Sequence, residues 1–184
     1  NGTERCAAAL PALDAPDVVV NLQGDAPLTP PWFLSALMEA MADPAIAVAT
    51  PVLRCDAAAH AAFLEDRAAG RVGGTTAVFD ARGRALYFSK EVIPFAPPPV
   101  EGVPSPVFHH VGVYAYRPEA LTAYAGWPEG RLEALEGLEQ LRFLEHGRAV
   151  ACVEVEARGR VFWEVNNPED VPRVEAALAA AGIA

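Results

Sequence analysis

Residues 17–27, DVVVNLQGDAP, constrain the fold more than any other stretch: a β-branched run stops at a Gln-Gly-Asp turn closed by proline. The run DVVVNL (17–22) reads as a short strand buried on both faces, and the glycine and proline behind it punctuate a turn. Apolar residues Phe33, Leu37 and Met41 then recur at helical spacing over 32–41. IAVATPVL (46–53) reads as a second strand, and Asp56 caps a helix through Leu64. Strands alternating with helices predict helices packed on both faces of a sheet.

Downstream, TTAVF and RALYF form a hairpin joined at Asp80-Ala81-Arg82-Gly83. Six prolines between 94 and 106 remove backbone donors and predict an exposed loop. VFHHVGVYAYR (107–117) reads as a strand. Val111, Val113 and Ala115 lie on one side, and His110, Gly112, Tyr114 and Tyr116 on the other. A helix starts at Pro118. LEALEGLEQLRFLE (132–145) is the clearest amphipathic helix, with Leu135, Leu138, Leu141 and Phe143–Leu144 toward a core. Residues 149–156 and 160–165 read as strands. The last helix opens with Asn167 as N-cap and Pro168 at its first position. The whole predicts one α/β domain over residues 1–184, three-layered, with a mixed, mostly parallel sheet and a small antiparallel hairpin region.

Charge and cysteine usage narrow the function. Fourteen basic against 24 acidic residues, a net of −10, exclude the dense cationic surface that nucleic-acid polymers and anionic membranes require. No apolar run reaches the length of a membrane span. Cys6, Cys55 and Cys152 are odd in number and widely spaced, which fits reduced thiols in a cytoplasmic protein. His60 and His146 read as surface residues, no His/Cys spacing suits zinc, and GRVGG (70–74) reads as a flexible turn.

Chemistry is expected where a strand ends, because open α/β sheets bind ligands outside the carboxyl ends of their strands. Gly24 lets the backbone approach a ligand there. Asp25 offers a hard carboxylate suited to Mg²⁺, which takes one or two such groups plus substrate oxygens. An Asx turn before Pro27 explains the same aspartate equally well.

Six segments occur together in one order: Asn1-Gly2-Thr3-Glu4-Arg5, VVNLQGDAP (19–27), ALYFSK with Ile93-Pro94, HHVGVYAYR (109–117), LEGLEQLR (135–142) and VNNPEDV (165–171). Together they resemble the CMP-KDO synthetases, the 3-deoxy-manno-octulosonate cytidylyltransferases, over essentially the whole chain. The resemblance implies a Rossmann-like nucleotidyltransferase fold. It also implies transfer of CMP from CTP to the sugar acid KDO for lipopolysaccharide synthesis, by a cytoplasmic homodimer whose contact surface includes residues 94–117. In that frame Asp25 binds Mg²⁺, with Asn166 at the family's second metal position. Gly2, Thr3, Arg5 and Gln23 neighbour the nucleotide, the first three on a loop beside the cytidine. Tyr87, Ser89 and Lys90, with His110, Tyr114, Glu139 and Gln140, line the sugar-acid pocket.

Each residue keeps a plainer alternative. His110 and Tyr114 suit a core with satisfied polar tips, Tyr87 suits hairpin packing, and Glu139 with Arg142 suits an exposed helical pair. The sequence also departs from the family pattern. Asn166 replaces an aspartate, Ala26 an acidic residue, and Lys90, the only lysine in the chain, an arginine able to grip a carboxylate with two bonds. The family's opening Arg- and Lys-bearing triphosphate loop is absent, so the chain reads as a fragment. A catalytically impaired sugar-acid or nucleotide-binding relative, or a cytidylyltransferase for another 2-keto sugar acid, accounts for the same departures.

Overall fold

The computed structural model describes residues 1–165 and 167–183. Among them, β1 (Val19–Leu22), β2 (Val48–Arg54), β3 (Thr75–Phe79), β4 (Ala85–Ser89), β5 (Phe108–His110), β6 (Val113–Tyr116) and β7 (Ala151–Val155) form one seven-stranded sheet. β5 and β6 are two halves of one bent strand against β2, whose other edge pairs with β7. The far edge of β6 holds β1, and that of β5 holds β3, followed by β4.

This corrects the mostly parallel sheet expected from the sequence. Only β2 and β7 pair in parallel; β1–β6, β2–β5, β2–β6, β3–β4 and β3–β5 are antiparallel. The reason is the β5–β6 strand. It returns between β1, β2 and β3, which share a direction, and keeps them apart. Alternation of strands and helices along a sequence gives no sign of such an insertion. The antiparallel hairpin is present as β3–β4, with an irregular register between Val78 and Phe79.

Both faces of the sheet are covered. Val111, Val113 and Ala115 pack with Phe33, Leu37 and Met41 on and beside α2 (Pro31–Ala40). Tyr114 and Tyr116, one residue out of phase, pack on the opposite face with Leu121 and Tyr124 of α4 (Pro118–Ala125) and with Leu138, Leu141 and Phe143. The period-two alternation expected at 107–117 therefore feeds two cores. A third cluster joins Phe63 of α3 (Ala57–Ala68) to Trp163 and to Val174 of α7 (Asp170–Ala180). Asp56 caps α3 by accepting from the Ala59 N–H at 2.7 Å, and that helix runs past Leu64 to Ala68.

Several local expectations change. β1 is an edge strand with Val20 and Leu22 exposed, rather than one buried on both faces. Gly2–Arg5, expected on a loop from the resemblance, open α1 (Gly2–Ala9), capped by Asn1 through a capping box with Glu4. Residues 160–165 form no strand, because their hydrogen bonds go to loops: the Val165 N–H donates to the Asp25 carbonyl at 2.8 Å. The last helix begins at Asp170, whose carboxylate accepts from the Asn167 N–H at 2.7 Å. His60 is buried and meets Ser105 Oγ through Nδ1 at 3.1 Å. Gly73 and Gly74 are buried too, and a Cβ on Gly74 would lie 2.9 Å from Phe63 and His109.

The amphipathic helix expected over 132–145 is two short ones, α5 (Arg131–Glu136) and α6 (Leu141–Glu145). Gly137 breaks it, in the left-handed region at φ 63°, where glycine carries no steric penalty. Leu135, expected in the core, is 70% exposed. Buried Glu133 of α5 ties the two short helices together. It accepts from Arg142 Nε at 2.5 Å and Nη2 at 2.7 Å, with Tyr124 OH and Asn1 Nδ2 donating to the same carboxylate. Arg142 also meets Glu4 at 3.0 Å. The exposed Glu139–Arg142 pair does not form.

Candidate functional site

An open cleft of about 1250 Å³ lies at the carboxyl end of β1, where the sheet rule places a ligand. The β1 turn (Asn21–Asp25), the start of α1, and Lys90 after β4 form part of its wall. The bend between β5 and β6 (His110, Gly112, Tyr114), the α5–α6 break (Gly137–Gln140) and Glu164 complete it.

Of the residues singled out by sequence, Gly2, Arg5, Gln23, Asp25, Lys90, His110, Tyr114, Glu139 and Gln140 line this cleft. Thr3, Tyr87 and Ser89 do not. Thr3 is buried against Tyr116, their hydroxyls 2.8 Å apart, while Tyr87 and Ser89 donate to Glu136 at 3.2 and 2.8 Å. Asn166 lies outside the described residues.

The wall is ordered by acceptors. Glu139 takes Gln23 Nε2 on one oxygen at 2.7 Å and the Thr3 N–H on the other at 2.8 Å, joining the β1 turn and α1 to the helix break. Glu164, buried, accepts from the Gly112 N–H at 2.8 Å and lies 3.8 Å from His109 Nε2. Burial works to raise the Glu164 carboxyl, but the His109 contact and the Gly112 N–H outweigh it and hold the group below its ordinary range. A Cβ on Gly112 would sit 3.1 Å from Glu164 Oε1 and 3.5 Å from Gln23 Oε1, so a larger residue there would crowd the Glu164 carboxylate.

Burial pushes the His110 imidazole down to about 4, leaving it neutral near pH 7. Its Nε2 lies 2.9 Å from Thr50 Oγ1, whose single proton goes to main-chain carbonyls of Val113 and Val111. Thr50 therefore accepts, His110 carries its proton on Nε2, and Nδ1 is an acceptor. Burial likewise drives the Tyr114 phenol well above its ordinary range, and its OH donates to Gln140 Oε1 at 3.1 Å. The buried Gln140 Nε2 has no acceptor among the described residues.

Three features mark the cleft as a place for an anion and a cation together. Lys90 has no ion pair among the described residues, so its ammonium is unneutralised. Asp25 is exposed, and its carboxylate makes no hydrogen bond among them. Glu4, Asp25, Glu129, Glu133, Glu139 and Glu164 outnumber Arg5, Lys90 and Arg142 around the wall. A polyanion enters such a field only with a counter-cation.

Residues 1–150 match the cytidylyltransferase family. The chain belongs to the cytidylyltransferase family. This cytidylyltransferase is 43% identical over 184 residues to the 3-deoxy-manno-octulosonate cytidylyltransferase of Maricaulis maris, covering 99% of the chain and 70% of the relative. The enzyme of the same name from Anaeromyxobacter sp. is 41% identical over 180 residues, 97% of the chain and 68% of the relative. In structure it is similar to a CMP:2-keto-3-deoxy-manno-octonic acid synthetase complexed with CTP. That likeness has a TM-score of 0.78 at 32% identity, over 98% of the chain and 69% of the other. A glucose-1-phosphate thymidylyltransferase from Bacillus anthracis shares the fold alone, with a TM-score of 0.53 at 12% identity over 95% of the chain and 59% of the other.

Sequence reasoning missed Glu136 and Glu164. The signal for Glu164 was a lone carboxylate inside the apolar run VFWEV, since an acid there needs a partner. Glu136 carried none beyond its place in a row of glutamates three apart.

Proposed function

We propose that this cytidylyltransferase transfers CMP from CTP to KDO, releasing pyrophosphate and giving CMP-KDO for lipopolysaccharide synthesis. The observation that carries this reading is one cleft wall. The free Lys90 ammonium, the unpartnered Gln140 amide and neutral His110 all line the cleft that also holds the bare Asp25 carboxylate. A sugar acid presents a carboxylate for the ammonium and hydroxyls for the amide and imidazole. In support, the Maricaulis and Anaeromyxobacter relatives carry this activity in their names, and the similar solved structure is complexed with CTP.

Mg²⁺ fits the donors present. No group of three or more His, Cys, Asp or Glu side chains forms a closed cage among the described residues. A lone exposed carboxylate suits a cation that takes most of its ligands from water and substrate phosphates. Asp25 would hold the ion, with Asn166 at the second metal position that the family resemblance implies. Held by Asp25, such an ion would supply charge neutralisation for the triphosphate and a template for the sugar hydroxyl.

The chain's own residues do the rest. A sugar hydroxyl gives up its proton to solvent and forms the new bond to the α-phosphorus, the bond from that phosphorus to the α–β bridging oxygen breaks, and pyrophosphate leaves with both electrons. Lys90 and Gln140 hold the sugar acid, and the Nε2–H tautomer of His110 leaves Nδ1 to accept from a sugar hydroxyl. Gln23, clamped by Glu139, stands beside Asp25 at the same turn. Holding two substrates in attack geometry, rather than acid–base chemistry by a tuned side chain, is the catalytic device.

A homodimer is part of the proposal. Phe95 is fully exposed, and Val100 and Val103 on the same proline-rich loop are also exposed, which is costly in water and suits a second subunit. A cytoplasmic setting fits CTP as substrate and the buried thiols of Cys55 and Cys152. The test offers the protein CTP, Mg²⁺ and a panel of 2-keto sugar acids. Pyrophosphate release and a CMP-sugar with KDO support the reading. Release only with a different acid changes the substrate, and sugar-acid binding without release makes the protein a binding relative.

A further inference from the structure

The geometry points to Glu136 as the positioning residue that sets the Lys90 ammonium against the sugar acid, an inference that rests on the proposed reaction. Glu136 is the last residue of α5, just before the break. Its Oε1 accepts from Tyr87 OH at 3.2 Å and Ser89 Oγ at 2.8 Å, and its Oε2 accepts from the Lys90 N–H at 3.0 Å. Ser89 Oγ in turn accepts from the Glu91 N–H at 3.0 Å. The backbone on both sides of Lys90 is thereby pinned to one carboxylate.

The next residue makes the arrangement directional. Gly137 turns the chain at φ 63°, and a Cβ there would sit 2.9 Å from Lys90 Nζ. The ammonium therefore rests over the reversal that Glu136 anchors. The same reversal launches Glu139 and Gln140 into the wall. Glu136 holds the free cation and the amide donor in one register, although it does not line the cleft itself.

Only an ionised carboxylate serves here. Three donors converge on two oxygens, and a carboxylate is acceptor-only with lone pairs to spare. A glutamine of equal size keeps one acceptor oxygen: its NH₂ either meets the Lys90 N–H, donor against donor, or meets the two hydroxyls, whose own protons then lose their acceptor. Either way the set of contacts is weakened with no change in volume.

Lys90 is the only lysine in residues 1–184. Reductive methylation with ¹³C-formaldehyde gives it a dimethylammonium resonance, identified by its absence from Lys90→Ala. In the unsubstituted enzyme that resonance lies away from the free-lysine position, and in Glu136→Gln it returns toward it. In kinetics, Glu136→Gln raises KM for KDO roughly tenfold, the loss of one charged contact, with KM for CTP and kcat altered far less. Adding Lys90→Ala to Glu136→Gln costs little more than Lys90→Ala alone, as expected for coupled neighbours.

Tyr87→Phe removes one of the three donors at little risk to folding. It shifts the resonance in the same direction by less. A lysine signal unmoved by both substitutions overturns the inference, as do equal changes in both KM values or fully multiplicative losses in the double variant. If the unsubstituted enzyme makes no CMP-KDO, the proposed reaction fails, and the resonance still decides what Glu136 does to Lys90.

Discussion

Gln23 Nε2 donates to Glu139 Oε1 at 2.7 Å, joining the turn after β1 to the break between α5 and α6 across 116 residues of sequence. The other Glu139 oxygen holds the Thr3 N–H at 2.8 Å. Hydrogen bonds to charged groups contribute about 1.5–3 kcal/mol each. Glu139→Ala is expected to lower kcat/KM by roughly ten- to a hundredfold while costing less in stability, because the side chain is only half-buried. Steady-state kinetics beside urea unfolding separates the two effects.

The Glu133–Arg142 pair has the opposite balance. Both side chains are buried, and Arg142 also lies over the Tyr124 ring at 4.2 Å. Removing the Glu133 charge leaves buried Arg142 with only exposed Glu4 as its partner, so Glu133→Gln should destabilise by up to about 3–5 kcal/mol. Arg142→Lys should not rescue the site, since an ammonium cannot reproduce the fork that meets both Glu133 oxygens. Urea midpoints at constant m-value check this.

His110 makes stability depend on acid. Its folded value is depressed to about 4, so the unfolded chain binds the proton more readily below its ordinary value of about 6.5. Stability is unaffected above that point and falls as pH drops from about 6.5 toward 4, by up to roughly 3 kcal/mol. His110→Gln should flatten the slope of unfolding free energy over that window. An unchanged slope removes His110 as its source.

Gly137→Ala should cost at least about 1 kcal/mol from its positive φ alone. It should also raise KM for the sugar acid, because the new methyl would lie 2.9 Å from Lys90 Nζ. Thermal unfolding and substrate saturation read the two consequences separately.

The fold was legible where periodicity decided it. Val111, Val113 and Ala115 against Tyr114 and Tyr116 did sort onto two faces, and Asp56 did cap its helix. Strand direction was not legible. It depends on β5–β6 lying between β1, β2 and β3, a long-range choice that no local pattern records. Glu133 and Glu136 were passed over for a related reason. Glu133, Glu136 and Glu139 stand three apart opposite the leucines, the pattern of a solvated helix face. In the structure Gly137 breaks the helix, and all three carboxylates accept protein hydrogen bonds. In the cleft, the QGD turn, Lys90, His110 and Tyr114 were reached through motif resemblance. Glu164 escaped because its partner, the Gly112 N–H, is 52 residues away.

The most direct measurement is pyrophosphate release from CTP and KDO as Mg²⁺ is titrated, comparing the unsubstituted enzyme with Asp25→Ala. Asp25 is exposed and its side chain bonds to nothing among the described residues, so the substitution should leave thermal unfolding unchanged. Turnover should nonetheless fall by about a thousandfold or more, a barrier increase of about 4 kcal/mol, with no recovery at high Mg²⁺. Release at the unsubstituted rate, with the same Mg²⁺ dependence, would contradict the placement of the reaction at the end of β1.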